Sequence, residues 1–198
     1  MPFLENIRTL FEKKFILHPM EDNGIWFFFL EESDPSAKNF PKCRLWLKTR
    51  HALMIKLDGM FPPPDYFTEQ GGKRTRCDYL LFIEEEDAAY FLFIELKSGN
   101  FKKSQIEHKF VGSNCFVDYC NSILLGFNGF SLITDVTEKR FVVISLSSGR
   151  KRASGRTNIH NGSNTEPAKA HYIQVERKQN IYLTQDLNIK QLIGENRP

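Results

Sequence analysis

The sequence predicts an α/β fold in which a mixed central β-sheet is flanked by helices. Two apolar runs, "CDYLLFI" (77–83) and "YFLFIELK" (90–97), are separated by one short charged segment. A helical stripe over 102–125 follows them, and a third apolar run, "RFVVISLS" (140–147), follows the helix. This order favours a β-hairpin whose second strand is joined through a crossover helix to a further strand of the same sheet.

The predicted elements before the hairpin are one helix and three strands. Residues 3–15 carry apolar side chains at helical spacing, which predicts an amphipathic helix. Three short apolar and aromatic segments predict strands: "GIWFFFLEE" (24–32), "CRLWLKT" (43–49) and "ALMIKL" (52–57). The segment "MFPPPDYF" (60–67) is predicted to be a loop, because three consecutive prolines cannot donate hydrogen bonds to a sheet.

The central hairpin is the clearest element of the sequence. The connection "EEEDAA" is so short that the flanking strands are expected to pair antiparallel. Neither strand alternates between apolar and polar residues, which predicts burial on both faces, as in a sheet covered by helices. The following helix is expected to pack on the sheet through one stripe of residues: Ile106, Phe110, Ser113, Val117, Cys120 and Leu124.

The last part of the chain is predicted to contain a loop and a second hairpin. Residues 147–169 are rich in Gly, Ser, Asn and Arg and almost free of apolar side chains, which predicts a flexible basic loop. The segments "HYIQVE" (171–176) and "NIYLTQ" (180–185) are then expected to form a closing hairpin. Residues 1–198 are predicted to form a single domain.

The composition excludes several classes of protein. Hydrophobic residues make up 41% and charged residues 26%, which is typical of globular domains. The longest apolar run, "IWFFFL", is too short to span a bilayer, and the N-terminus shows no secretory signal pattern, so a cytoplasmic location without a membrane partner is expected. The four cysteines include no CxxC pair, which favours reduced, packed thiols over a zinc site.

Three charged residues are predicted to converge at one end of the central hairpin. Glu95 and Lys97 lie two apart on one strand and therefore project from the same face. Asp78, near the start of the preceding strand, is expected to lie beside them. Buried ions persist only when something compensates them, and two carboxylates with one lysine suit a divalent cation such as Mg²⁺. Such a cation can activate a water molecule, while the lysine stabilises developing negative charge.

This arrangement resembles the PD-(D/E)XK nuclease superfamily. The resemblance covers about residues 73–125: Asp78, an apolar strand, a turn, a second strand ending in Glu95-Leu96-Lys97, and a helix. The "CDYLL" and "ELK" strands are similar to those of small prokaryotic members. The motif departs in two places, because Cys77 precedes Asp78 where the superfamily's name has proline, and Lys109 stands where one subgroup has tyrosine.

The resemblance implies a restriction-endonuclease-like core and a Mg²⁺- or Mn²⁺-dependent nuclease. Asp78, Glu95 and the backbone carbonyl of Leu96 would bind the metal, and Lys97 would position water or stabilise the transition state. Gln105, on the following helix, would be a further catalytic residue. The resemblance also leaves room for an acidic residue of the first helix, with Glu5 and Glu12 as the candidates.

Basic residues near the motif and in the long loop are candidate contacts to nucleic acid. Clustered cations suit a phosphate backbone, although they also occur on ordinary solvated loops, and the net charge of +3 is mild. The nucleic-acid-binding candidates are Lys73, Arg74, Arg76, Lys102, Lys103, Arg150, Lys151 and Arg152.

Two other functions are compatible with the same residues. The chain could be a catalytically inactive module of the nuclease fold that binds nucleic acid or a protein partner. It could also be a structural subunit in which Glu95 and Lys97 simply pair with each other. The substrate (DNA or RNA), the mode of cleavage (endo or exo) and a homodimeric state, which a symmetric substrate would favour, are left open.

Overall fold

The computed structural model describes residues 2–32, 40–57, 75–98, 100–146, 163–175 and 185–193, which form an α/β fold with two mixed sheets. Two short 3₁₀ helices, Lys13–Phe15 and Pro167–Lys169, lie between the main elements. The main elements are α1 (Pro2–Leu10), β1 (Ile16–Leu17), β2 (Met20–Asp22), β3 (Ile25–Leu30), β4 (Cys43–Leu47), β5 (Ala52–Lys56), β6 (Tyr79–Glu84), β7 (Ala89–Lys97), α2 (Lys103–Asn128), β8 (Thr137–Leu146), β9 (His171–Val175), β10 (Gln185–Asn188) and α3 (Ile189–Ile193).

The larger sheet has six strands in the order β1-β5-β6-β7-β8-β9. Strands β6 and β7 pair antiparallel, which confirms the predicted hairpin. Strand β8 pairs with β7 in parallel after the connecting helix α2, which confirms the predicted crossover. Strand β9 adds to β8, again in parallel, so one half of this sheet is antiparallel and the other half is parallel.

The smaller sheet has four strands in the order β10-β4-β3-β2. The two predicted strands 24–32 and 43–49 pair here as β3 and β4, whereas the third, 52–57, joins the larger sheet as β5. The predicted closing hairpin is only partly described, because residues 176–184 lie outside the described part of the chain. Its first strand, β9, pairs with β8, and β10 belongs to the smaller sheet.

Strand β7 is buried on both faces, as predicted, but two different layers cover it. Phe91 and Phe93 pack in a cluster that includes residues of α1 and α2. Leu92 and Ile94 pack in a second cluster with residues of the smaller sheet and α3. One face of the large sheet is therefore covered by helices, and the other mainly by a second sheet. Each buried Phe or Leu contributes about 1.5–3 kcal/mol, so burial on both sides is a major source of stability.

Helix α2 packs on the large sheet through the predicted stripe. All six predicted stripe residues are buried: Ile106, Phe110, Ser113, Val117, Cys120 and Leu124. The helix runs to Asn128 and ends at Gly129, which adopts a left-handed conformation with φ of 66°. Glycine accepts this conformation without the steric cost that a side chain would add. None of the helices within the described ranges combines the length and apolar character needed to cross a membrane.

Two local predictions require correction. Helix α1 ends at Leu10 and does not continue to residue 15, because the chain turns there through a 3₁₀ helix so that Ile16 can pair with Ile55 of β5. The cysteines are all free thiols, as predicted, but Cys115 is exposed on α2, where the prediction had every thiol packed. The predicted loop 60–67 and residues 147–162 of the predicted basic loop lie outside the described ranges.

Candidate active site

The register of the β6–β7 hairpin brings Asp78 and Glu95 to one end of the large sheet. Tyr79 is paired with Ile94, so Asp78, one residue before β6, lies opposite Glu95. The backbone N–H of Leu96 donates to Asp78 Oδ2 over 2.6 Å, which fixes the carboxylate across the two strands. Both carboxylates contact Lys109 of α2, and they therefore lie on the face that the helices cover.

Glu95 is a fully buried carboxylate whose two oxygens have different surroundings. Its Oε1 atom lies 2.6 Å from the ammonium of Lys97 and 2.6 Å from that of Lys109. Its Oε2 atom is also buried, and within the described part of the chain it has no hydrogen-bond partner. Leaving a buried carboxylate oxygen without a hydrogen-bond partner is costly. The unpartnered Oε2 atom therefore indicates that Glu95 has a role other than stabilising the fold.

Lys109 is the residue of this site that the sequence analysis did not propose. Its ammonium bridges the two carboxylates, at 2.6 Å from Glu95 Oε1 and 3.8 Å from Asp78 Oδ1. A signal was present in the sequence, because Lys109 follows Ile106 by three positions and precedes Ser113 by four. A lysine between two positions of a buried helical stripe is expected to face the same side as the stripe.

A close contact between α2 and the segment before β6 sets the position of Lys109. The backbone N–H of Cys77 donates to Ser113 Oγ over 2.8 Å, and this hydroxyl donates to the carbonyl of Lys109 over 2.9 Å. At Gly112 a Cβ atom would lie only 2.3 Å from the backbone oxygen of Thr75. The missing side chain at Gly112 therefore permits the approach that aligns Lys109 with Asp78.

Burial and neighbouring charges shift the pKa values of this cluster. Burial raises the pKa of Asp78 to about 7; the charge of Glu95 adds to this, whereas Lys109 and the Leu96 N–H oppose it. Burial by itself would lower the pKa of Lys109, but the charges of Glu95 and Asp78 outweigh burial and raise it. Shifted values of this kind concentrate at functional sites, although structural ion pairs produce them as well.

The two acidic candidates from the first segment do not join the cluster. Glu5 and Glu12 are exposed, and each forms an ion pair with a basic residue of its own segment. Besides Glu95, the acid whose charge raises the pKa of Asp78 is Glu32, which follows the end of β3. This segment is held near β6 because the Tyr79 hydroxyl donates to the carbonyl of Glu31 over 2.7 Å. Nothing in the local sequence around Glu32 signals this neighbour, since it depends on how the two sheets pack.

Gln105 is exposed in the first turn of α2, one turn before Lys109. Among the described contacts, its side chain has no hydrogen bond to Asp78 or Glu95. The two residues share one side of the helix, and Lys109 is the one that reaches the carboxylates. A role for Gln105 in catalysis stays a prediction.

The basic candidates divide into a described and an undescribed group. Arg76 is half-buried, and its guanidinium donates to the carbonyl of Thr75 over 2.8 Å. Lys102 and Lys103 are exposed at the start of α2. The remaining candidates lie outside the described residues: Lys73, Arg74, Arg150, Lys151 and Arg152.

The donor set fits a divalent cation that prefers oxygen ligands. Within the ranges that the structure describes, no three His, Cys, Asp or Glu side chains form a metal-binding group, so Asp78 and Glu95 stand as a pair. Mg²⁺ commonly binds proteins through one or two carboxylates and retains water for its other positions. The unpartnered Oε2 atom of Glu95 would be available as one such ligand. Coordination by the Leu96 carbonyl stays a prediction.

No family model, curated protein or solved structure matches the chain. A function for this chain is therefore inferred from the chemistry of the site, in which two buried carboxylates lie beside two ammonium groups.

Proposed function

We propose that this protein is a Mg²⁺- or Mn²⁺-dependent nuclease that hydrolyses phosphodiester bonds of DNA or RNA. The observation that carries the proposal is Glu95, a carboxylate with no exposed surface and one oxygen without a partner among the described residues. A purely structural ion pair would be expected to satisfy both oxygens, because the cost of burying a charge is otherwise not recovered. A metal ligand is a role that accounts for the free oxygen.

The topology around Glu95 supports assignment to the PD-(D/E)XK superfamily and its restriction-endonuclease-like core. An antiparallel hairpin is followed by a long helix, in the order of the motif, and the next strand of the chain joins the same sheet in parallel. Asp78, one residue before β6, and the Glu95-Leu96-Lys97 segment at the end of β7 meet at one end of this hairpin. The motif and the topology are thus consistent with each other.

In the proposed reaction the side chains have separate roles. Asp78 and Glu95 would hold the cation, and the Leu96 N–H would keep Asp78 oriented. When bound, the cation would supply positive charge next to the scissile phosphate and promote ionisation of water. Lys97, whose side chain is 25% exposed, can reach the phosphate from the solvent side and would stabilise charge that develops there.

The exposed lysines at the start of α2 would help to bind the substrate. Lys102 and Lys103 follow closely after Lys97 in the chain, so they border the same end of the sheet. Contacts from lysines to phosphates position a nucleic acid without reading its sequence. Their affinity contribution is expected to decrease as the salt concentration increases.

The proposal is tested with labelled single- and double-stranded DNA and RNA in the presence of Mg²⁺ or Mn²⁺. We expect the wild type to cleave at least one substrate, and Asp78→Asn, Glu95→Gln and Lys97→Ala each to lose about 100-fold or more. Lys139→Ala, which removes a lysine paired with the half-exposed Asp118, is the control and should keep full activity.

Two results would contradict the proposal. Cleavage that survives in Asp78→Asn and Glu95→Gln would indicate a contaminating nuclease. Binding of nucleic acid without cleavage by the wild type, under every metal condition, would favour the alternative of an inactive module. A thermal-shift titration adds an independent readout, because a bound cation should raise the melting temperature of the wild type and not that of Glu95→Gln.

A further inference from the structure

Lys109 shares its ammonium between the two carboxylates that the proposed function assigns to a metal ion. Lys97 also contacts Glu95, which lies two residues earlier on the same strand. Among the described contacts, Lys97 has none with Asp78. Lys109 reaches both acids from a different element, at 2.6 Å and 3.8 Å. A shared cation would need to contact the same two groups.

We propose that Lys109 is an internal counter-ion that competes with a divalent cation for Asp78 and Glu95 and thereby sets the affinity of the site. The inference rests on the proposed function, because it requires that these carboxylates bind metal. An ammonium on one oxygen of Glu95 and a divalent cation on the other would repel each other strongly, since the buried surroundings screen charge poorly. Lys109 is the ammonium that lies near both carboxylates, so cation binding is favoured when Lys109 moves away from them.

The structure gives Lys109 a way to leave without unfolding the site. Its side chain is 26% exposed and has a flexible four-carbon stem, so the ammonium can swing toward solvent. The backbone at Lys109 is held by the hydrogen bond from Ser113, and this bond does not involve the ammonium. Helix α2 can thus stay in place while the charge moves.

The test measures metal affinity by isothermal titration calorimetry on the full chain after removal of metal with EDTA. We expect Lys109→Gln to bind Mn²⁺ and Mg²⁺ about tenfold tighter than the wild type, because one nearby positive charge is removed from a buried site. Lys109→Arg keeps the charge and can pair with a carboxylate through two parallel hydrogen bonds, so it should bind metal several-fold more weakly.

Lys139→Gln is the matched control, because it removes the same charge from a lysine that pairs with Asp118 of the same helix and has no role in the site. Its metal affinity should lie close to that of the wild type. Far-UV circular dichroism checks that each variant is folded. If Lys109→Gln does not fold, Lys109→Arg carries the test alone, since it retains the ion pairs.

The possible failures can be told apart. If the wild type binds metal and Lys109→Gln binds equally or more weakly, the competition is refuted and the proposed nuclease function is unaffected. A Lys109→Arg variant with wild-type affinity refutes the competition in the same way. If neither the wild type nor any variant binds Mg²⁺ or Mn²⁺, the metal site itself is refuted, and the inference is refuted with it.

Discussion

Two lysine–carboxylate contacts join helix α2 to the large sheet, and their surroundings differ. In the first, Lys109 of α2 contacts Glu95 of β7 at 2.6 Å. In the second, Lys139 of β8 contacts Asp118 of α2 at 3.1 Å and Asn114 at 2.8 Å. The side chain of Glu95 has no exposed surface, whereas that of Asp118 is 50% exposed.

The comparison indicates which of the two contacts needs an explanation beyond stability. A pair whose carboxylate is half exposed leaves that charge in contact with water, contributes about 0–1 kcal/mol and needs no special explanation. A buried pair requires that charges be removed from water, and well-packed apolar residues often serve stability equally well. Burial of Glu95, together with its unpartnered oxygen, therefore distinguishes this contact from an ordinary link between helix and sheet.

The two lysines are about equally exposed, at 26% for Lys109 and 24% for Lys139, so the two contacts differ in their carboxylates. Truncation of Lys109, whose partner Glu95 is buried, should have the largest effect. Lys109→Ala leaves Glu95 buried with Lys97 as its remaining ammonium partner, and Asp78 with its Leu96 hydrogen bond alone among the described contacts. We expect the free energy of unfolding in EDTA to decrease by about 3 kcal/mol, the lower end of the range for a broken buried pair, because Lys97 remains. Urea denaturation measures this change. A loss below about 1 kcal/mol would mean that the two contacts do not differ.

The buried contact should also make stability depend on pH. The pKa of Asp78 is raised to about 7 in the folded protein, above the unfolded value of about 3.9. Between these values the folded state binds more protons than the unfolded state, so stability decreases as pH rises. From pH 5 to pH 7 in EDTA, the wild type should lose about 2 kcal/mol relative to Asp78→Asn.

The Asp78→Asn reference is needed because His171 titrates in the same range. Burial lowers the pKa of His171, which contributes a change of the opposite sign as pH rises. This contribution is common to both proteins and cancels in the difference. Parallel stability profiles for the wild type and Asp78→Asn would show that Asp78 is not the titrating group.

Much of the site could be predicted from the hairpin alone. The spacing of Glu95 and Lys97 and the short turn after β6 depend on local geometry, so the meeting of these residues with Asp78 followed from the sequence. The position of Lys109 could not be predicted in this way, because it depends on how α2 is rotated and shifted on the sheet. That docking is set by Ser113 and Gly112, which contact the segment before β6.

The second sheet could not be predicted for a similar reason. The apolar segments that form β3, β4 and β5 look alike in sequence, yet two join the small sheet and one joins the large sheet. The parallel pairing of β10 with β4 joins segments that are far apart in the chain. Local patterns identify strands, but sheet membership depends on these distant pairings.

The close approach that positions Lys109 can be tested at Gly112. Gly112→Ala would place a Cβ atom 2.3 Å from the Thr75 oxygen, which must push the segment before β6 away from the helix. We expect a loss of about 1–3 kcal/mol in urea denaturation. Gly126→Ala, on the same helix with nothing within 4 Å, is the control and should stabilise by up to about 1 kcal/mol. Equal effects at both glycines would argue against the close contact.

Truncation of Lys139, whose partner Asp118 is half exposed, should have the smallest effect. In Lys139→Ala, Asp118 remains solvated and Asn114 can hydrogen-bond to water, so no charge is left buried. The loss should stay below about 1 kcal/mol, and a double-mutant cycle with Asp118→Ala should give a coupling that shrinks in high salt. The coupling between Lys109 and Glu95 should change little with salt, because buried pairs are screened much less. A Lys139→Ala loss as large as that of Lys109→Ala would show that burial is not what separates the two contacts.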